Sequence, residues 1–307
     1  MLVTGAAGFS GSHLVDRLSA GGADVVAWHR PGGRPPREVA RTRWEAVDLL
    51  DAGQVTRAIA RTRPSAVYHC AGAAHVGRAW DAAESTFAIN VRGTHNLLQA
   101  LESAGVVARV LVPSSALVYS PSDEPLAETH PLAPAGPYAL SKLAQEMLAA
   151  RTHDALSVTI ARPFNHVGPR QDPLFAASGW AQRIADIEAG RSAPEIAVGN
   201  LEPRRDLTDV RDTVRAYQLI LERGRPGRPY NICTGRAIAI HDLLDRLLSR
   251  ARVRIVVKTD PTRYRPVDTP VVVGDPNRLR GELGWAPSIP LDRTLDDLLE
   301  YWRNQSS

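Results

Sequence analysis

The chain has 307 residues, 37 basic against 33 acidic side chains, and a formal charge of +4. That length supports one large α/β unit plus a smaller lobe and needs no disulfide staples. The basic set is almost all arginine, scattered rather than striped, with Lys142 and Lys258 the only lysines; this excludes a basic nucleic-acid-binding face.

Cys70 and Cys233 lie in the apolar runs AVYHCAG and PYNICTG, without the spacing of a metal site. They read as buried strand residues in a reducing compartment. No stretch reaches the roughly 18 apolar residues of a membrane span. MLVTGAAGF runs straight into a glycine turn, so a cytoplasmic protein with no membrane partner is expected.

In chain order, LVTG, SGSHLVDRLSAG, DVVAWH, AGQVTRAIARTR and SAVYHCAG alternate strand and helix patterns. The alternation continues with a helix around Ala82–Gly105, a strand over Ala108–Ser114, a helix around Pro137–Thr152 and a strand over Ser157–Arg162. Such βαβ repetition predicts a Rossmann-type, doubly wound parallel sheet. The first strand, Met1–Thr4, is shorter than the usual ~5–6 residues, which suggests a true start upstream. After Pro163 the pattern becomes turn-rich, with one helix over Trp180–Gly190 and the short run EIAVGN. The helix Val210–Arg223 and the strand Pro229–Cys233 then rejoin the main sheet. The expected division is 1–163 with 206–233 for the dinucleotide-binding unit, and 164–205 with 234–307 for a smaller, interleaved α/β substrate-binding lobe.

Thr4-Gly5-Ala6-Ala7-Gly8-Phe9-Ser10-Gly11 follows a strand and opens a helix, giving a GxxGxxG turn. Gly5 makes the tight turn, Gly8 admits a pyrophosphate, Gly11 lets helix pack on strand, and the helix start at Phe9 offers N–H groups to the anion. The second strand ends in Trp28-His29-Arg30 without the carboxylate that would hold the ribose hydroxyls of NAD. Arg30 suits a 2′-phosphate, with Arg34 or Arg37 as helpers, so NADP(H) is expected over NAD(H). Asp48 and Leu49 are placed at the adenine edge, and Ala71 and Ala73 along the cofactor.

Ser115 ends a strand, and Tyr138-Ala139-Leu140-Ser141-Lys142 begins a helix. Residues four apart share a helix face, so the phenol and the ammonium point into one cleft. The ammonium is expected to lower the tyrosine pKa, making it a proton donor or acceptor, while Ser115 holds a substrate oxygen.

With TGAAGFSGSHL, VYHCAG, NVRGTHNLLQA, SSALVYS and PYALSK in order, the chain resembles the extended short-chain dehydrogenase/reductase family over nearly its whole length. The resemblance implies a Ser115–Tyr138–Lys142 triad, with Tyr138 and Lys142 also touching the cofactor, hydride exchange with NADP(H), and a nucleotide-sugar substrate held by the smaller lobe. It also suggests a homodimer through the helices around Ala82–Gly105 and Pro137–Thr152. RPFNHVGP and VGNLEPRRD look like the GDP-mannose 4,6-dehydratase and GDP-6-deoxy-4-keto-hexose reductase branch. By that resemblance Asn165, Asn200, Arg205 and Arg265 contact the nucleotide sugar, and no metal is implied.

A sugar dehydratase needs an acid/base carboxylate beside the triad, whereas this chain has Ala116 and Leu117; a lysine of the dehydratase substrate helix aligns loosely with Gly179. The expected activity is therefore NADPH-dependent reduction of the C4 ketone of a GDP-4-keto-6-deoxy-hexose to a GDP-6-deoxyhexose such as GDP-rhamnose. The alternatives are a nucleotide-sugar 4-epimerase, a GDP-mannose 4,6-dehydratase-like enzyme and, last, a non-catalytic NADP(H)-binding sensor.

Overall fold

The computed structural model describes residues 1–33, 37–151, 156–264 and 269–306. The strands of the first half are β1 (Leu2–Thr4), β2 (Val25–His29), β3 (Thr42–Ala46), β4 (Ala66–His69), β5 (Ala108–Pro113) and β6 (Leu156–Pro163). Those that follow are β7 (Asn165–Val167), β8 (Glu195–Val198), β9 (Arg204–Asp209), β10 (Pro229–Ile232), β11 (Ala237–Ala239), β12 (Val256–Thr259) and β13 (Val271–Val272).

Seven of them form one sheet in the order β10-β6-β5-β4-β1-β2-β3, and every pairing in it is parallel. Parallel strands with helical crossovers must be covered on both faces, and the sequence supplies continuous apolar strands for that purpose. On one face Val3, Tyr68 and Leu111 meet Leu14 and Leu18 of the helix Phe9–Ala20 and Val214, Tyr217 and Ile220 of the helix Val210–Arg223. On the other, Leu2, Val67, Val110 and Val112 meet Val55 and Ile59 of the helix Ala52–Thr62 and Leu97 and Leu101 of the helix Gly93–Ser103. β3 (TRWEA) is the polar edge.

β9 pairs with β7, β11 and β13 in a second sheet, and β8 with β12 in a third. Their core is Trp180, Ile184, Ile196, Val198, Leu243, Leu247, Leu295 and Leu298.

Several expected boundaries move. Asp206 lies inside β9, within the smaller lobe's sheet, so the chain returns to the large sheet only with the helix that starts at Val210. Leu279 and Trp285, expected in the smaller lobe, pack instead with Tyr217, Ile220 and Tyr230, because Trp285 donates its Nε1–H to Asp212 O at 3.2 Å. The helix expected from Trp180 begins at Ala176 and ends at Glu188. The helix expected around Ala82–Gly105 carries a π-helical turn, Ala88–Arg92. The helix that opens at Pro137 runs to Ala149 among the described residues. Cys70 and Cys233 each sit one residue beyond a strand; Cys233 is buried and Cys70 only partly so.

The helix Pro137–Ala149 is anchored to β6 by a buried ion pair. Arg162 donates to both Glu146 oxygens at 2.9 and 2.6 Å, with both side chains about 5–6% exposed. Arg162 also donates to the Tyr119 hydroxyl at 3.0 Å, which in turn donates to Asn231 Oδ1 at 2.6 Å. Removing one partner strands a buried charge, so Arg162→Met is expected to lower unfolding stability by about 3–5 kcal/mol in urea titrations. The pair Arg162→Met with Glu146→Leu should recover most of that loss, and a single variant as stable as the parent would contradict the anchoring role.

Candidate active site

The glycine turn joins β1 to the helix Phe9–Ala20 in a space that admits no side chains. Gly5 has φ +63°, and a Cβ there would stand 2.6 Å from the Ala71 backbone. A Cβ on Gly11 would stand 2.2 Å from Gly5 O, so helix and turn touch through bare backbone. Gly8 is the helix N-cap, and no side chain caps it. The first turn therefore presents its N–H groups outward, the arrangement that binds phosphate. Phe9 does not enter that space. Its ring stacks on His166 (5.4 Å, 6°) and meets His13 edge-on, tying the turn to the segment after β6.

Around the turn, Arg30 is exposed just past β2. Arg37 pairs with Asp16 of the first helix, and Arg34 lies outside the described residues. Asp48 accepts from Leu50 N at 2.9 Å. The Leu49 side chain is 6% exposed and belongs to the core, which leaves only its backbone for the expected contact. Ala71 N donates to Thr4 Oγ1 at 3.2 Å and Ala73 N to Asn90 Oδ1 at 2.8 Å, which fixes the stretch along the cofactor groove. These features fit a dinucleotide.

Ser115 and Lys142 are buried beside half-buried Tyr138, and the Ser115 hydroxyl is close enough to the Tyr138 phenol to pull its pKa down. Sequence reasoning expected Lys142 to lower the Tyr138 pKa. Here burial raises it, with the Ser115 hydroxyl opposing. The ammonium is instead tethered, donating to Pro113 O at 2.5 Å and to Gln145 Oε1. Burial brings the Lys142 ammonium down to about 8, against the raising charge of Glu146.

Behind Lys142 runs a buried chain whose donors can be assigned from its ends. Thr94 has one hydroxyl proton, and Asn90 O takes it at 2.6 Å. Thr94 Oγ1 must then accept from Gln145 Nε2 (2.7 Å) and from His69 Nε2 (2.9 Å). His69 Nδ1 is thus the acceptor for Thr4 Oγ1 at 2.8 Å. Burial, with Lys142 nearby, keeps the imidazole neutral at about 3. Asn90, on the π-helical turn, adds a bond from its Nδ2 to Ser141 Oγ at 2.9 Å. Sequence reasoning missed Asn90, Thr94 and Gln145. The first two stood in NVRGTHNLLQA, but their partners lie on other elements.

A cleft of about 1130 Å³ lies toward the smaller lobe, and Ser115, Tyr138 and Lys142 are not among its lining residues. His75 and Gly77, from the loop after β4, and Asn165 at the start of β7 line one part of it. Arg205, Asn200, Phe175 and Trp180 line its walls, and Glu195 and Lys258 come from the β8–β12 sheet. Arg205 is aimed by bonds from its Nη1 to Thr269 O (2.8 Å) and Arg204 O (2.9 Å). Asn200 Oδ1 accepts from Glu202 N at 3.1 Å. Arg265, the remaining expected contact, lies outside the described residues. A Cβ on Gly179 would stand 2.4 Å from Pro173 O, so no lysine fits there without moving the backbone.

This fold and site define an extended short-chain dehydrogenase/reductase, an NAD(P)-dependent oxidoreductase class. The chain belongs to the GDP-mannose 4,6 dehydratase family, whose sequence pattern matches residues 2–298. It is 34% identical over 310 residues to the GDP-6-deoxy-D-mannose reductase of Pseudomonas aeruginosa, covering 99% of this chain and 97% of the relative. It is 24% identical to a GDP-mannose 4,6-dehydratase of Vibrio cholerae, covering 97% and 92%. Among solved structures, RMD from Pseudomonas aeruginosa complexed with NADPH superposes with TM-score 0.86 at 33% identity, covering 99% of each chain. The UDP-glucose 4-epimerase of Thermotoga maritima with UDP-glucose gives 0.88 at 28% identity, covering 100% and 99%.

Because the chain has two lysines, a lysine-labelled NMR spectrum has two side-chain signals. The one that survives Lys258→Arg should titrate near about 8. Gln145→Leu removes an acceptor from the ammonium and should move that midpoint lower. A midpoint unchanged by Gln145→Leu would refute the tether.

Proposed function

We propose that the chain is an NADPH-dependent reductase of the C4 ketone of a GDP-4-keto-6-deoxy-hexose, yielding a GDP-6-deoxyhexose such as GDP-rhamnose. The observation that carries this is the grouping of Ser115, Tyr138 and Lys142 with no dehydration group next to it: Ala116 and Leu117 follow Ser115, and Gly179 has no room for a side chain. The nucleotide and cofactor are supported by the reductase of Pseudomonas aeruginosa and by the structure of RMD with NADPH.

Gly5, Gly8 and Gly11 would hold the pyrophosphate, Arg30 the 2′-phosphate, the backbone at Asp48 and Leu49 the adenine, and Ala71 and Ala73 the length of the dinucleotide. When bound, NADPH supplies the hydride that reaches C4. The chain supplies the proton. Its raised pKa keeps the Tyr138 hydroxyl protonated, the form needed to donate to the ketone oxygen as it becomes an alcohol. Ser115 aligns that oxygen with the phenol. Lys142 spends two of its three N–H groups on Pro113 O and Gln145, and the third would be left for the bound cofactor. Asn165, Asn200, Arg205 and Arg265 hold the nucleotide diphosphate.

A second reading, nucleotide-sugar 4-epimerase, is favoured by the likeness to the Thermotoga maritima enzyme. Against it stands the end of β2, where Trp28-His29-Arg30 lacks the carboxylate of an NAD site. No described helix is long and apolar enough to cross a membrane, and both cysteines are free thiols, which supports a cytoplasmic setting. A homodimer is supported by Phe87, Leu140 and Met147, exposed on the helices Ala83–Phe87 and Pro137–Ala149; light scattering should give a dimer mass, and a monomer would contradict it.

Adding the 4-keto sugar made in situ by a separate dehydratase should deplete NADPH absorbance one for one with product, and absence of depletion would remove the reductase reading. Tyr138→Phe is expected to lower kcat by roughly 10²–10⁴-fold with NADPH affinity nearly unchanged, and a variant at full rate would remove the proton-donor role.

A further inference from the structure

We propose that the Glu195–Lys258 ion pair reads the base of the substrate and selects guanine over uracil. The inference rests on the nucleotide-sugar reading above and assigns the part of the cleft that reading leaves open.

The position follows from the reacting end. The sugar carbon must lie against Tyr138, whose helix has its N-cap at Gly136, packed on the Trp80 ring just beyond the cleft-lining His75 and Gly77. The diphosphate follows, near Arg205. The base therefore reaches the wall built by the β8–β12 sheet, where Glu195 Oε1 and Lys258 Nζ stand 2.6 Å apart.

The strand alternation fixes which side chains meet the ligand. Ile196 and Val198 point into the lobe's core, so Glu195 and Ala197 take the opposite face. Lys258 is in parallel register with Ala197 and shares that face. Ala197 is small and leaves room for a flat ring beside the pair. Tyr264, about half exposed, adds an aromatic surface to the same cleft. Other charged groups nearby are engaged locally: Asp186 accepts from Arg191 at 2.8 Å, Arg183 donates to Ser192 Oγ at 2.6 Å and Glu195 O at 3.0 Å, and Arg263 pairs with Asp260 at 3.2 Å.

An ammonium next to a carboxylate presents donor, acceptor, acceptor in a row. Guanine presents the complement along one edge: O6 accepts, N1–H donates and the N2 amino group donates. Uracil matches only the first two, since its O2 would face a carboxylate oxygen. Adenine opposes the pair twice, with an amino group at the ammonium and a bare nitrogen at the carboxylate. The chain otherwise uses arginine almost throughout, so a lysine here supplies a compact point donor in place of a planar fork.

Calorimetric titration of the NADPH-loaded enzyme with GDP and with UDP tests this without turnover. The parent should bind GDP roughly tenfold or more tighter than UDP. Glu195→Gln puts an amide N–H where guanine also donates and where uracil O2 accepts, so GDP should weaken by about tenfold while UDP holds or tightens. Lys258→Met should weaken both. Both side chains are half exposed, so the variants keep the fold. If the parent prefers GDP and Glu195→Gln prefers it equally, the base is read elsewhere and this assignment falls while the reductase reading stands. If the parent prefers UDP, the assignment falls together with the guanosine part of that reading, and NADPH depletion with the keto sugar still decides the chemistry separately.

Discussion

The site depends on one constraint: a lysine ammonium has to stay charged and aimed inside the protein. Placing Lys142 under the carboxyl end of β5 costs solvation, which is why burial pulls its pKa to about 8. Pro113 O and Gln145 Oε1 offset that cost. Gln145 can serve only if its amide is held, and Thr94 holds it, with His69 and Thr4 completing the chain back to Ala71 N. Five elements of the large unit, β1, β4, β5, the helix Gly93–Ser103 and the helix Pro137–Ala149, thus share one buried polar network. The cofactor groove and the Tyr138 helix are set in place by the same bonds, and a half-satisfied network would be worse than an apolar core.

Within that frame the chemistry is defined by what the neighbours lack. Ala116 and Leu117 offer no group to remove a proton from carbon, and Gly179 faces the Pro173 carbonyl too closely to carry a lysine. What remains is Tyr138, whose pKa burial raises, and in the proposed role a protonated phenol suits delivery of one proton to a ketone oxygen. The buried Glu146–Arg162 pair ties the tyrosine's helix to β6.

Much of this was legible in the residues because it is local. The GxxGxxG turn, the alternation of strands and helices, and the four-residue spacing from Tyr138 to Lys142 each follow from backbone geometry within a few positions. What escaped was non-local. The sign of the Tyr138 shift depends on burial, and although Gln145 stands only three residues from Lys142, the spacing does not reveal that Thr94 and His69, from other elements, hold it in place. The return of Leu279 and Trp285 to the large unit rests on Asp212, more than sixty residues upstream, whose main chain accepts from Trp285 and whose carboxylate accepts from Ser288 and Ile289 N–H groups at 2.7 and 2.8 Å. Phe9 sits in the motif by sequence, yet its ring serves to stack on His166. Leu49 follows the strand as expected, with its side chain in the core.

Transfer of label from NADPH deuterated at the nicotinamide C4 position tests the central claim most directly. With the 4-keto-6-deoxy sugar nucleotide as substrate, the account predicts one deuterium at C4 of the product for each NADPH oxidised, and product unlabelled at C4 with no net oxidation of NADPH would contradict it.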